Sequence, residues 1–253
     1  AKDAQRYFAR YVAAIEAIGK AAGPLTAVHG DALVERPGIS VKLSAIHPRF
    51  EPGKEDRLAL ELAPRILELA RLARSKGLTL TVDAEEQDRL DVTLGVFEQV
   101  FLDPALEGWG GLGLAVQAYG KRAVPVLRWL KRLSDRAAKR IPVRLVKGAY
   151  WDAEVKRAQV MGLADFPVFT RKEATDVSYI ANARKLLGMT DRVYPQFATH
   201  NAHTVAAILD MAKPGQAYEF QRLHGMGERL HDIVHRAEGT RCRIYAPVGA
   251  HRD

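Results

Sequence analysis

Seven short apolar stretches recur along this 253-residue chain, each separated from the next by longer segments with helical periodicity. The short ones, at 39–46, 78–83, 111–119, from 142, and at 192–200, 217–225 and 242–249, read as buried strands. The longer ones, at 2–22, 55–76, 88–102, 121–139, 151–162, 172–188, 202–212 and 227–237, read as helices. Such alternation means parallel strands joined by helical crossovers. A closed (β/α)8 barrel and an open doubly wound sheet both fit. The barrel is favoured, because every strand ends in polar groups, as suits a ring of strand ends around one pocket. An open sheet binds at one switch point, and no GxGxxG follows an early strand. The count is one strand short of closure.

The length fits one domain, 1–253, with a full core. No uncharged apolar run is long enough to span a membrane, and the charged start lacks a signal peptide's apolar centre. It also lacks an initiator Met, which suggests a fragment of a larger protein. Cys242 is the sole cysteine, so a reducing, cytoplasmic compartment is expected. The net charge of +8 points to an anionic partner. The most basic helix, 121–139, spreads its charge evenly without interleaved aromatics, so it reads as a solvated face and not as a nucleic-acid site.

The chemistry gathers in PVRLVKGAYWD, 142–152. Arg144 sits inside an apolar run and must face water or a charged partner at the strand's edge. Lys147, Gly148, Tyr150 and Trp151 follow at the strand's end, and Asp152 is placed to cap the next helix. Lys42 is a second cation hidden in a strand: a Schiff-base nucleophile, a carboxylate clamp or a lysine snorkelling to the rim. Asp83 is most economically its counter-ion across neighbouring strands, with metal ligand and general base as alternatives. Thr170, Arg171 and Lys172 precede a helix, an arrangement suited to a pyrophosphate. His200 and His203, with His224 and the acids Asp83, Glu85 and Glu86, could assemble a metal-dependent hydrolase, but without HxH or HExxH spacing. Asn201 and Thr204 are equally well helix caps. These residues alone imply a barrel enzyme with a cationic, aromatic pocket for a flat anionic cofactor and a small anionic substrate.

The motifs VKLSAIHPRF, TVDAEEQDRLD, VQAYGKR, RLVKGAYWDAEVKRAQ, FTRKEATDVSYIANA, PQFATHNAHTV, YEFQRLHGMGERL and RIYAPVG, in this order, closely resemble the proline dehydrogenase domain of bacterial proline utilization proteins. The resemblance implies a distorted (β/α)8 TIM-type barrel that holds FAD noncovalently and oxidises L-proline to Δ1-pyrroline-5-carboxylate. Electrons would pass to a membrane quinone, with the protein cytoplasmic and peripheral at the inner membrane, and an aldehyde dehydrogenase fused in the full-length protein. It further implies Arg144 beside the flavin, with Gln117, Lys147, Gly148, Trp151, Thr170, Lys172, Thr199, His200 and Asn201 holding the rest of FAD. Lys42 would pair with the carboxylate of proline or a small carboxylate analogue, and Asp83 would belong to its network. Ala149, Tyr150, Leu223 and Tyr245 would box the pyrrolidine ring. No metal is called for.

The family's pattern also includes a first strand before Ala1 and a final helix beyond RIYAPVG whose arginines share the substrate carboxylate. That first strand would complete the count of eight. The rival expectations are a truncated barrel that binds flavin or proline analogues without turnover, and a metal-dependent barrel hydrolase.

Overall fold

The computed structural model describes residues 2–24 and 31–247; Val248 and Gly249, the end of the last expected strand, lie outside the described residues. All seven expected strands form: β1 (Gly38–Val41), β2 (Thr79–Val82), β3 (Leu112–Gln117), β4 (Ile141–Val146), β5 (Val193–Ala198), β6 (Glu219–Leu223) and β7 (Arg241–Tyr245). They make one parallel sheet in the order β1 to β7, curved as a barrel wall with helices outside. Among the described residues β1 and β7 are not paired. A side chain bridges that gap instead: Arg243 Nη1, on β7, donates to the Arg36 carbonyl just before β1 at 2.8 Å.

Burial on both faces is why the central strands read as apolar runs without alternation. Every residue of β2 and β3 is buried. On the outer face, Ile66, Leu69 and Ala73 of the helix Ala63–Ser75 are wholly inaccessible, as are Leu127 and Leu130 of the helix Ala123–Ala137. The basic residues of the latter helix, Arg128, Lys131, Arg132 and Arg136, face solvent. No helix among the described residues is long and apolar enough to cross a membrane.

Three local expectations are corrected. The strand expected at 39–46 stops at Val41, and Leu43–Ile46 is a helical turn. Leu43 and Ile46, both buried, have the i, i+3 spacing of a helix, and the Ser44 amide donates to Glu85 Oε1 at 3.0 Å. The helix expected at 55–76 is two, Glu55–Glu61 and Ala63–Ser75, because Pro64 has no amide hydrogen to continue the ladder. The helix after β4 starts at Trp151 with Tyr150 at its cap position, so Asp152 lies in its first turn and is not the cap.

Candidate active site

The C-terminal ends of the strands surround a cavity of about 660 Å³. Its floor is Arg144, from the middle of β4, which is only 8% exposed. Of the two expectations for Arg144, water or a charged partner, the second holds, although the side chain reaches that partner, Asp83, across the barrel interior and not at the strand's edge. Nε donates to Gln221 Oε1 on β6 at 2.7 Å, Nη1 to Asp83 Oδ1 at 2.7 Å and Nη2 to Ser40 Oγ on β1 at 2.8 Å. The Tyr245 ring covers the guanidinium at 5.1 Å. A cation held from four directions is oriented before any ligand arrives.

Asp83 follows β2 directly, and its second oxygen accepts from the Tyr245 hydroxyl at 3.3 Å. Burial raises its pKa, only partly opposed by Arg144, Tyr245 and Lys42. Burial, and then the Asp83 charge, likewise raise Tyr245, which keeps its proton for that bond. Lys42 is not the hidden cation expected: it is exposed where β1 gives way to the helical turn, and its chain lines the cavity. Nor is Asp83 its direct counter-ion. The ion pair of Asp83 is with Arg144, and Lys42 is drawn to Tyr150. Desolvation pulls the lysine pKa down, but Tyr150, Asp83 and Glu85 together outweigh it and raise it above the ordinary value.

Ala149, Tyr150, Leu223 and Tyr245, the expected apolar box, all line the same cavity. So do Gln117, Lys147, Gly148, Thr199, His200 and Asn201. Gln117 is fixed at both ends of its amide: Nε2 donates to the Glu85 carbonyl at 2.9 Å, and Oε1 accepts from the Ala149 amide at 3.2 Å. Gly148 is at φ +146°, and a Cβ there would lie 2.4 Å from the Tyr119 ring, so only glycine fits this backbone. His200 Nε2 accepts from the Leu223 amide at 3.0 Å, which puts the ring proton on Nδ1, and burial lowers its pKa. Asn201 is a helix cap as well as a lining residue, because Oδ1 accepts from the Thr204 amide at 2.9 Å; Thr204 is the capped residue, not a cap.

Trp151, Thr170 and Lys172 stand outside the cavity. Trp151 is 42% exposed and donates from Nε1 to the Phe169 carbonyl at 3.0 Å. Lys172 is tied at 2.5 Å to Asp176, which also pairs with Lys147 on the cavity wall. The helix Lys172–Leu187 has no side-chain cap, so its first amides remain open beside these two lysines.

Sequence reasoning missed the layer beneath Arg144. Glu219, 2% exposed, accepts from Gln196 Nε2 at 2.9 Å, Gln221 Nε2 at 2.8 Å and Arg243 Nε at 2.7 Å, all on Oε1, and from Arg243 Nη2 at 3.0 Å on Oε2. The signal was present: Glu219 and Gln221 sit two apart on a buried strand, and hence on one face. The register aligns Arg144 with Gln196, Gln196 with Glu219, and Gln221 with Arg243. The histidines do not converge as a hydrolase would require. Among the described residues no group of three His, Cys, Asp or Glu side chains could hold a metal ion.

The family model for proline dehydrogenase matches residues 1–253. The chain is 52% identical over 260 residues to the bifunctional protein PutA of Salmonella typhimurium, covering 99% of this chain and 19% of that protein. It is 52% identical over 257 residues to the PutA of Rhizobium meliloti, covering 99% and 20%. The chain thus spans about a fifth of the length of these relatives. Among solved structures, a Bradyrhizobium japonicum proline utilization A variant superposes with a TM-score of 0.94 at 53% identity, covering all of this chain and 25% of that one. The Bdellovibrio bacteriovorus protein inactivated by N-propargylglycine gives 0.89 at 30% identity, covering 99% and 27%.

Proposed function

Because the chain belongs to the proline dehydrogenase family, we propose that it oxidises L-proline to Δ1-pyrroline-5-carboxylate, with FAD bound at the ends of β3 to β6. The observation that carries this reading is Arg144: a nearly buried guanidinium, locked by Gln221, Asp83 and Ser40, forms the floor of a cavity with a second cation, Lys42, on its wall.

The residues present fit the cofactor. Gly148 leaves the β4 end bare of side chain where a flat ring system needs close approach, and Gln117 is pinned beside it. Lys147, Lys172, Thr170 and the uncapped helix amides supply the positive potential that a pyrophosphate requires. Trp151, Thr199, His200 and Asn201 complete the set around the mouth. When bound, FAD supplies a two-electron acceptor for the hydride that leaves C5 of proline. Arg144 then holds a fixed positive charge where electron density arrives, a type of interaction worth about 3 kcal/mol in a water-poor site. Lys42 clamps the substrate carboxylate, and its raised pKa keeps the ammonium charged at the higher pH where the proline amine is neutral and its lone pair free. Tyr150, Tyr245, Ala149 and Leu223 desolvate the ring and restrict its orientation.

On this reading the electrons pass on to a membrane quinone, reached from the cytoplasmic side as a peripheral contact. An aldehyde dehydrogenase on the same longer polypeptide consumes the product, and small carboxylates compete with proline. The test is the visible spectrum of the purified chain. A yellow protein bleached by L-proline supports the reading. A yellow protein that proline leaves unchanged reduces it to a flavin-binding domain without turnover, and a colourless one overturns it.

A further inference from the structure

Gln221 stands between two charged groups, and its amide can face either way round. Its Oε1 meets Arg144 Nε at 2.7 Å while its Nε2 is turned toward Glu219 Oε1 at 2.8 Å. Both Gln221 and Glu219 are 2% exposed, so water offers neither end a substitute partner. We propose that Glu219 is a positioning residue for Arg144, acting through the direction it imposes on the Gln221 amide; the catalytic consequence rests on the function proposed above.

The residue type is what makes this work. Four donor contacts converge on Glu219, from Gln196, Gln221 and both Nε and Nη2 of Arg243. A carboxylate accepts at both oxygens and brings no N–H of its own. Glu219→Gln would not test this, because its amide oxygen can take the Oε1 position, where Gln196, Gln221 and Arg243 Nε all donate. Glu219→Met removes the acceptor altogether, so nothing holds the Gln221 NH2 away from the Nε–H of Arg144. The guanidinium keeps its bonds to Asp83 and Ser40 but loses the third, and with it a single orientation. Arg243 reinforces the arrangement from the other side, anchored to the carbonyls of Arg36 and Val34.

The test is a double-mutant cycle on the flavin-loaded chain, read as the limiting rate of flavin reduction by proline. Glu219→Met should lower that rate about tenfold, the weight of one hydrogen bond to a charged group, with the proline concentration for half-maximal rate little changed. In an Arg144→Met background the same change should produce no further loss. An equal loss in both backgrounds, or no loss in the parent, overturns the proposal. Should Glu219→Met fail to fold, Gln221→Leu is expected to give the same pattern and is judged by the same outcomes. A cofactor-free readout separates this idea from the functional one. The Arg144 Nε–H resonance, assigned by its disappearance in Arg144→Met, should shift in Glu219→Met and in Gln221→Leu. If proline fails to bleach the parent, the functional reading falls and the resonance still decides the relay. An unmoved resonance refutes the relay whatever the flavin does.

Discussion

Two guanidinium–carboxylate pairs lie in the barrel interior, joined by Gln221, and they differ in what is left over. Arg243 and Glu219 are closed: the arginine contacts both carboxylate oxygens and two backbone carbonyls, and the carboxylate also takes Gln196 and Gln221. Arg144 and Asp83 are open. They meet through one nitrogen and one oxygen, under a tyrosine face, at the floor of a cavity. The closed pair fastens the edge strand β7 to β6 and to the segment before β1, where strand pairing is lacking among the described residues. The open pair keeps a desolvated charge facing the place where a ligand would lie. The same two residue types thus serve as a fastener where every donor is matched, and as a candidate reactive group where some matching is withheld.

Methionine at each arginine separates these roles most sharply. Arg243→Met leaves Glu219 without its cation, and breaking an ion pair by removing one partner costs about 3 kcal/mol or more when the pair is buried. The expected outcome is a drop of several degrees in melting temperature, accompanied by partial loss of cofactor. Arg144→Met should instead slow flavin reduction by a factor of hundreds, about 3 kcal/mol in the barrier, while the protein stays folded and yellow. Melting curves and stopped-flow traces on both variants check the contrast. It is broken if Arg243→Met melts like the parent, or if Arg144→Met reduces its flavin at the parental rate.

Lys42 extends the comparison to a cation at the cavity wall that, among the described residues, has no carboxylate bonded to it, only Tyr150 and the fields of Asp83 and Glu85. Lys42→Ala removes one charge-assisted contact of about 1.5–3 kcal/mol. The proline concentration needed for half-maximal rate should therefore rise about ten- to a hundredfold, with a smaller fall in limiting rate. Steady-state kinetics with proline, and inhibition by small carboxylates, test this. An unaltered requirement for both would remove Lys42 from the carboxylate site.

The central strands were legible in the sequence because burial on both faces writes them as apolar runs, and the helices because their inner stripes repeat every three or four residues. Cations inside those runs, Arg144 above all, were visible as a local conflict that a folded chain must resolve. Their partners were not. Which carboxylate Arg144 meets depends on side-chain reach across the barrel, so strand adjacency assigns Asp83 to Lys42 whereas the arginine reaches it first. Glu219, Gln221 and Gln196 passed as ordinary polar residues, since only strand register puts them in one layer. Pro64 splits a helix whose apolar stripe runs on unbroken, which periodicity alone does not register.

The smallest expected effect concerns the open carboxylate itself. Its pKa is raised in the folded chain, burial outweighing Arg144, Tyr245 and Lys42, so the folded state holds the Asp83 proton more tightly than the unfolded state does. The stability contributed by this group is therefore fully present below the ordinary aspartate value of about 4 and is lost as pH rises through the raised folded value. Asp83→Asn keeps the shape, and its amide oxygen can still accept from Arg144, but it carries no charge to desolvate. The difference in unfolding free energy between variant and parent should be constant at low pH and move in the variant's favour as pH rises toward neutrality. At neutral pH the variant should thus be at least as stable as the parent, yet slower in flavin reduction, because Arg144 and Tyr245 lose the anion that aligns them. Denaturant titrations at several pH values measure this directly. A variant that loses ground to the parent as pH rises would mean that Arg144 and Tyr245 outweigh burial at Asp83, and the distinction between the open and closed pairs would fail at its most exposed point.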